Sequence, residues 1–233
     1  MKPRFVGRLG VADAVTVSNA ALGFLAAFAA TVDPGLAARL VLLGAVADGL
    51  DGVLARKLGS TAAGTYLDSL ADVASFGVAP ALLVLVVVRR VWGFDPLRVG
   101  AALVATTLFV AMAVVRLGLY TAYDSESDQT EGVQTTLSAT ILAAGVLSGV
   151  TEPMVLVALT FLLAALMVTT IRYPDLHPQD AMVMGVVQGL AILLQGWIGQ
   201  VFAYGLLFLA LAYLFFAPRF YWRSTEGGSE NPA

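Results

Sequence analysis

The sequence contains no cysteine, a single histidine and few charged residues. The absence of cysteine excludes a disulfide framework and a thiolate metal site. Charged residues make up only 12% of the chain, and the formal net charge of −3 is too small to indicate a nucleic-acid partner. The histidine, His177, lies in a proline-rich loop, so we expect it to serve neither catalysis nor metal binding.

Apolar residues dominate the composition. They form 59% of the chain, and the mean hydropathy is +0.85. Apolar stretches repeatedly exceed the ~18 residues typical of a helix that crosses a bilayer. We therefore predict an all-α polytopic membrane bundle, with no cleaved signal peptide because further spans follow the first apolar segment. Turn-forming residues separate eight predicted spans, at residues 12–32, 36–57, 62–89, 97–121, 135–149, 153–172, 181–197 and 200–217.

Three local features refine this prediction. The longest polar stretch, residues 123–132, is predicted to be an acidic loop, and no soluble domain fits between the spans. Pro80 is expected to kink span three. Asn19 lies within the apolar span one, where a polar contact between helices is one interpretation.

The distribution of basic residues predicts the orientation. With an even number of spans, both termini lie on the same side of the membrane. Nine basic residues fall on that side and four on the other, which places the termini and the loop between spans two and three in the cytoplasm of a cell-membrane protein. Residues 1–11 are predicted to be an amphipathic interfacial segment or an unstructured basic tail, and residues 219–233 a polar tail. The nine are Lys2, Arg4, Arg8, Arg56, Lys57, Arg116, Arg172, Arg219 and Arg223, and the four are Arg39, Arg89, Arg90 and Arg98.

Four aspartates interrupt the apolar sequence of spans two and three: Asp48, Asp51, Asp68 and Asp72. An aspartate at membrane depth costs ~2.5–3.5 kcal/mol on insertion scales, so this cluster requires a compensating charge. Divalent metal is the obvious candidate. Asp48 and Asp51 are three residues apart, and Asp68 and Asp72 are four apart, so each pair shares one helix face.

A turn near residues 59–60 would fold spans two and three into an antiparallel hairpin. Because a helix rises 1.5 Å per residue, Asp51 and Asp68 would each lie on the order of 12 Å from the turn. The two acidic pairs would then meet at matched depth. Gly52 and Gly64 lie beside them and would let a ligand or a neighbouring helix approach closely.

Two divalent cations would neutralise the four carboxylates. A diphosphate ligand would then need additional positive charge, which the guanidinium of Arg56 can supply through two hydrogen bonds. Two metals about 3.5–4 Å apart form a clamp for in-line displacement at phosphorus, and one aspartate must remain able to take a proton from the nucleophile. The alternative for Arg56 is a cation that reaches from the helix end to the interface. A divalent-cation transporter is the alternative for the acidic cluster, although we find neither internal repeats nor interrupted helices.

The segment from Asp48 to Asp72 resembles the signature of the CDP-alcohol phosphotransferase family. This resemblance implies a six-helix membrane core at residues 12–174 with two further spans at 175–218, a homodimer, two magnesium or manganese ions, and a cytidine diphosphate-linked donor. It also implies that the four aspartates are metal ligands and that Asp72 is the general base. Gly52 and Arg56 would contact the nucleotide and diphosphate, with Thr61 at the polar position before Gly64. The matching residues are Asp48, Asp51, Gly52, Ala55, Arg56, Gly64, Asp68 and Asp72.

Flanking residues indicate a branch of this family. Residues 67–80 and 167–174 resemble the members that transfer a phosphatidyl or archaetidyl group from a CDP-activated lipid to L-serine. Apolar cleft walls would bind acyl or isoprenoid tails similarly, so the sequence does not distinguish these donors. Where relatives often carry Pro-Asn at the start of span one, this chain has Ala12-Asp13. Asp13 and Thr16 are the donor contacts expected there. Residues 132–136 also depart from the family's usual Gly-Leu-Pro.

The carboxylate of a serine acceptor would need a cation within the cleft. Arg116 on span four and Arg172 at the end of span six are the available arginines, and each is otherwise explained as a residue at the membrane boundary. The alternative acceptor within the family is a sugar- or polyol-phosphate, such as inositol phosphate or glycerol phosphate. Such an acceptor should need a cluster of basic residues.

Overall fold

The computed structural model describes residue 3 and residues 6–124, 129–174 and 176–221. Helices account for most of this part of the chain. They are α1 (Val11–Val32), α2 (Pro34–Leu58), α3 (Gly64–Asp72), α4 (Ala79–Trp92), α5 (Pro96–Leu119), α6 (Thr135–Ser148), α7 (Pro153–Met167), α8 (Pro178–Leu193) and α9 (Gly196–Phe220).

Two π-helical segments lengthen the helical runs: one joins α3 to α4, and the other extends α5. Val73–Val78 joins α3 to α4, so one helical run extends over Gly64–Trp92. Tyr120–Asp124 extends α5 into the run Pro96–Asp124. Each predicted span therefore lies mainly within one helical run of the described residues, although several bounds differ.

Four runs are long and apolar enough to cross a membrane: Val11–Val32, Gly64–Trp92, Pro96–Asp124 and Gly196–Phe220. Three shorter apolar helices lie at Thr135–Ser148, Pro153–Met167 and Gln179–Leu193. The 25-residue α2 has the length to cross as well, but charged residues interrupt its apolar sequence. The prediction of an all-α, multi-pass membrane protein is confirmed.

The short helix α6 lies in the interior of the bundle. All of its residues except Thr136 are buried. It has no polar face, and it contacts α2 and α9 among its neighbours. A helix that is apolar all round is stable only when other elements cover it. The partly exposed residue, Thr136, directs its hydroxyl towards Asp48 of α2, at 3.5 Å.

The π-helical segment Val73–Val78 ends two residues before Pro80, the residue expected to kink span three. The backbone N–H of Ala79 donates to the carbonyl of Ala74, five residues earlier. Proline has no N–H to donate and clashes with the preceding turn of a regular helix, so a wider turn accommodates it. This rearrangement lies immediately after Asp72.

The same segment packs closely against α1 and α2. A Cβ on Gly23 would lie 2.7 Å from the Cα of Ser75, so only glycine permits this approach. The hydroxyl of Ser75 donates to the main-chain oxygen of Asn19 at 2.7 Å. A Cβ on Gly44 would in turn lie 2.9 Å from Oδ1 of Asn19. These contacts hold α1, α2 and the third helical run together beside the aspartates.

The prediction that residues 123–132 form a loop and that the sixth span reaches residue 172 is wrong. Helix α7 ends at Met167, and strand β1 (Gln129–Glu131) pairs antiparallel with strand β2 (Arg172–Pro174). Residues 125–128 of the expected loop lie outside the described residues. The β-branched run at residues 169–171 favours extended backbone over helix. Gly132 follows β1 with φ of 75°, where a Cβ would lie 2.1 Å from the carbonyl oxygen of Met167.

Two tyrosines attach this β-ribbon to α9. The hydroxyl of Tyr173 donates to the carbonyl of Leu214 at 3.2 Å, and the hydroxyl of Tyr213 donates to the carbonyl of Pro174. Burial raises the pKa of Tyr173, which keeps its phenol protonated as a donor. The ribbon is therefore fixed to the helical bundle.

Candidate functional site

Three of the predicted aspartates form a cluster between α2 and α3. Asp48, Asp68 and Asp72 each offer a carboxylate oxygen, and these oxygens lie within 4.8 Å of one another. Asp72 is buried, whereas Asp48 and Asp68 are partly exposed. The helical spacing within each acidic pair and the antiparallel hairpin predicted from the sequence account for this convergence.

The fourth aspartate, Asp51, is outside this group of three. Its carboxylate is buried and accepts a hydrogen bond of 2.6 Å from the hydroxyl of Thr16 on α1. Thr16 also donates to the carbonyl of Ala12, one turn earlier in its own helix. Helix α1 therefore forms a third wall of the site and orients one of its carboxylates.

The first turn of α1 meets the first turn of α3. Oδ2 of Asp13 accepts hydrogen bonds from the backbone N–H of Gly10 at 2.7 Å and from the hydroxyl of Thr61 at 2.9 Å. A Cβ on Gly64 would lie 3.5 Å from Oδ1 of Asp13. The structure thus brings together Asp13, Thr61 and Gly64, three residues predicted from separate parts of the sequence.

Asn19, which the sequence analysis does not place in the site, contacts Asp72. Its side chain is fully buried, and Nδ2 donates to Oδ1 of Asp72 at 3.5 Å. Its Oδ1 is buried without a hydrogen-bond partner among the described residues. This bond to Asp72 agrees with the predicted polar contact between helices. The identity of the partner, Asp72, could not be inferred from Asn19 alone, because it depends on how α1 packs against α3.

Arg56 lies at the mouth of a cavity. Its side chain is exposed and folds back along α2, so that a Cβ on Gly52 would lie 3.6 Å from Nη1 of Arg56. Asp48 and Arg56 both line a cavity of about 950 Å³ between α2, α6 and α8. One carboxylate of the cluster and one guanidinium therefore face the same space.

The two arginines considered for the acceptor occupy different environments. Arg116 is buried, donates to the hydroxyl of Thr130 at 3.0 Å, and lies close enough to Asp72 for their charges to interact. Arg172 is exposed and pairs with Glu131 at 3.4 Å. Adjacent residues of a strand point to opposite faces, so Thr130 and Glu131 direct the two arginines to opposite faces of β1. The prediction that Arg172 ends the sixth span is wrong, because it lies in β2.

The residues of the cluster fit a hard divalent cation. Carboxylate oxygens are the ligands that magnesium and manganese prefer in proteins. In the described ranges, ion pairs form between Arg98 and Asp95 and between Arg172 and Glu131, so none of the clustered carboxylates pairs with a basic side chain. Like charges this close in a partly buried site favour binding of a cation.

Comparison with known proteins identifies the family. The model of the CDP-alcohol phosphatidyltransferase family matches residues 9–218. The chain belongs to this family. As a CDP-alcohol phosphatidyltransferase family member, it is a transferase of phospholipid biosynthesis. Its acidic cluster could hold a divalent cation.

Individual relatives agree with this assignment. The chain is 35% identical over 172 residues to a CDP-diacylglycerol–serine O-phosphatidyltransferase of Helicobacter pylori, an alignment that covers 69% of this chain and 70% of the relative. A protein of the same name from Mycobacterium tuberculosis is 36% identical over 135 residues, covering 55% of this chain and 44% of the relative. An archaetidylserine synthase of Methanothermobacter thermautotrophicus is 28% identical over 178 residues, covering 74% and 73%.

The family range extends beyond the acidic hairpin in both directions. It includes Asp13 and Thr16 of α1 near its start, and it runs through α8 and into the last turn of α9. The CDP-alcohol phosphatidyltransferase match therefore includes the helices that line the cavity beside Asp48 and Arg56. The metal ligands, the base and the substrate contacts remain predictions for these residues.

Proposed function

We propose that this enzyme transfers the phosphatidyl or archaetidyl group of a CDP-activated lipid to the hydroxyl of L-serine and releases CMP. The observation that carries the proposal is the convergence of Asp48, Asp68 and Asp72 beside a cavity whose mouth also bears Arg56. The names of the relatives support serine as the acceptor and a CDP-lipid as the donor.

The metal site of the proposed enzyme uses all four aspartates. Asp48, Asp68 and Asp72 are clustered, and Asp51 is held nearby by Thr16. Two divalent cations, magnesium or manganese, would supply Lewis-acid stabilisation of the negative charge on the diphosphate when bound. The protein's own contribution is a set of oxygen ligands on two helices whose backbones are locked by close packing.

The chemical step is an in-line displacement at phosphorus. Asp72 takes the proton from the serine hydroxyl. The serine oxygen forms a bond to the phosphorus nearest the lipid, and the bond between that phosphorus and the oxygen bridging to CMP breaks. CMP leaves with the electron pair of the broken bond. Asn19 orients Asp72 through its hydrogen bond to Oδ1. Because phosphoryl transfer depends mainly on positioning and electrostatics, such orientation should affect the rate directly.

In this proposal, the CDP-lipid donor binds at the cytoplasmic end of the site. Arg56 binds the diphosphate, and Gly52 leaves room for it to approach α2. Asp13, Thr16, Thr61 and Gly64, which converge where α1 meets α3, contact the nucleotide. Buried or partly buried carboxylate and hydroxyl groups there can accept and donate the hydrogen bonds that cytidine requires.

Arg116 is the proposed partner of the serine carboxylate. It is buried, its Nε has no hydrogen-bond partner among the described residues, and its charge interacts with that of Asp72. A buried guanidinium with free donors binds a carboxylate strongly. Arg172, the other predicted contact, already pairs with Glu131 at the surface, so we assign it no role in acceptor binding.

We also propose that the enzyme is a homodimer of the cell membrane with its active site facing the cytoplasm. The excess of basic residues on the side of the termini supports the orientation. Cross-linking in vesicles tests the dimer, and the accessibility of a cysteine introduced at Ser60, beside the site, tests the orientation in a chain that has no cysteine of its own.

Turnover of radiolabelled serine tests the activity. The purified chain, CDP-diacylglycerol and Mn²⁺ should release CMP and labelled lipid in equal amounts, and Asp72→Asn should abolish both. CDP-archaeol in a parallel reaction compares the two donor classes. Labelling with inositol phosphate or glycerol phosphate, but not with serine, would contradict the proposed acceptor. Cation flux without CMP release is the result that the transporter alternative requires.

A further inference from the structure

The cavity beside Asp48 and Arg56 has a polar mouth and an apolar interior. The polar residues that line it are Asp48 and Arg56 on α2, Gln134, Thr136 and Thr140 at or on α6, and Gln188 on α8. The remaining lining is apolar apart from two glycines, and it comes from α2, α6, α8 and the residue Leu176 before α8. These apolar residues are Ala45, Val46, Leu50, Val53, Leu137, Leu176, Ala181, Met182, Met184 and Val186. A ligand that fills this space must itself be charged at one end and apolar at the other.

The cavity extends along α2. Arg56 and Ala45 both line it and are eleven residues apart on α2, which corresponds to about 16 Å along a helix. At the end away from Arg56, Nε2 of Gln188 donates to the carbonyl of Leu42 at 2.7 Å and ties α8 to α2. This cavity is therefore a groove that is open at the end near Arg56, where the diphosphate is proposed to bind, and bounded at the other end by the contact between α8 and α2. Its volume of about 950 Å³ is at the upper end of the range usual for ligand pockets, about 300–1,000 Å³.

Two glycines keep this groove open. Gly49 on α2 and Gly185 on α8 line the cavity, and a Cβ built on either would meet no atom within 4 Å. A G-x-x-x-G pair such as Gly185 and Gly189 on α8 is usually explained by close contact between helices. Neither glycine of this pair makes such a contact with the described residues, whereas Gly23 does. Gly185 therefore provides space.

We infer that α8 forms one wall of the binding site for a hydrocarbon chain of the donor lipid, and that Gly185 leaves the room this chain occupies. The inference rests on the proposed function, because it takes the occupant to be the CDP-activated lipid. The charge of the mouth supports this occupant: with the diphosphate at Arg56, the attached chain enters the apolar groove directly. A polar ligand would leave the apolar interior unfilled.

Gly185→Leu tests the inference in the full-length chain. The added side chain meets no protein atom at its Cβ, and leucine favours helix over glycine, so we expect the fold to be retained. With a long-chain donor, dioleoyl CDP-glycerol, we expect KM for the donor to rise about tenfold, as is typical when a hydrophobic pocket loses a good fit. With a dibutanoyl donor, whose chains are too short to fill the groove, we expect KM to stay within about twofold of wild type.

Gly100→Leu is the matched control. Gly100 lies on α5, outside the cavity, and its Cβ position is equally open. This variant reports the general effect of a larger side chain and should not distinguish the donors. Equal effects of the two substitutions, or an equal loss with both donors in Gly185→Leu, would overturn the inference, since ordinary bilayer lipid or a second copy of the chain would then cover the groove.

Failure of the proposed function is distinguishable from failure of this inference. If the wild-type chain uses a different alcohol, the same comparison of donor chain lengths is made with that acceptor. If it releases no CMP from any donor, the proposed function fails. If it is active and Gly185→Leu responds like Gly100→Leu, only the role assigned to α8 fails.

Discussion

The hydroxyl of Thr16 on α1 donates a 2.6 Å hydrogen bond to the carboxylate of Asp51 on α2. Both groups are buried. A carboxylate in such surroundings is oriented by its donors, and a hydrogen bond to a charged group contributes about 1.5–3 kcal/mol. The position of Asp51 relative to the other three aspartates therefore depends on a residue of the first helix.

Thr16→Val should lower kcat/KM about tenfold, because 1.4 kcal/mol corresponds to a factor of ten and the hydroxyl is replaced by a methyl of similar size. Initial rates at varied donor and Mn²⁺ concentrations measure this effect. Thr160→Val is the control, since the hydroxyl of Thr160 is equally buried but donates only to Leu156 of its own helix. Equal losses in the two variants would argue against a role of Thr16 in the site.

Substitution of Asn19 should lower kcat more than it changes KM for serine. Asn19→Asp places a further carboxylate against Asp72, and Asn19→Ala removes a donor from it, so we expect kcat to fall at least about tenfold in both. Ser75→Ala keeps the amide but removes the bond to the main chain of Asn19. We expect that variant to lose about 1 kcal/mol of stability with a smaller change in kcat. A fall in kcat as large as that of the Asn19 variants would indicate a packing effect.

Arg116 and Arg172 should respond differently to replacement. Arg116→Gln should raise KM for serine at least about tenfold, because loss of one partner of a buried charge interaction costs about 2–5 kcal/mol. Arg172→Gln should change KM less than about fivefold, since exposed ion pairs contribute about 0–1 kcal/mol. Steady-state kinetics at saturating donor measure both. Thr130→Val removes a partner of Arg116 but keeps its charge. If this variant raised KM as much as Arg116→Gln, the effect would reflect the ribbon's structure.

Replacement of one clustered aspartate should have opposite effects on the Tm, relative to wild type, with and without metal. In EDTA, Asp68→Asn relieves repulsion from Asp48 and Asp72, whose carboxylates lie within 4.8 Å. We therefore expect its Tm to rise by about 2–4 °C, which corresponds to roughly 1 kcal/mol for a chain of this size. Mn²⁺ should then stabilise wild type but not the variant, because only ligands bound by the folded state raise Tm.

Asp124→Asn is the control for this measurement, as Asp124 lies at the end of the π-helical extension of α5 and outside the cluster. Thermal unfolding of wild type and the two variants in detergent, with EDTA or Mn²⁺, gives the Tm values required. If Asp68→Asn had a lower Tm than wild type in EDTA, repulsion among the clustered carboxylates would not be destabilising the metal-free protein. Equal stabilisation of both by Mn²⁺ would show that Asp68 is not a ligand.

The fold class follows from local sequence properties, because apolar runs and turn residues act over short distances. The convergence of Asp48, Asp68 and Asp72 is also predictable. Spacings of three and four residues select one helix face, and a short turn forces two helices to be neighbours. The hydrogen bonds that orient these carboxylates are different in kind. Thr16 and Asp51 are separated by 35 residues and Asn19 and Asp72 by 53, and no local pattern specifies such pairs.

By itself, the amino-acid sequence determined that this chain is a helical membrane protein with two acidic helix faces and an arginine one turn beyond the first. Only the tertiary structure decided that Asp51 faces Thr16, that Arg116 is buried while Arg172 lies at the surface, and that α8 borders the cavity beside Asp48. The physical reason is that periodicity defines the face a residue occupies on its own helix. Which neighbour meets that face depends on the packing of the whole bundle.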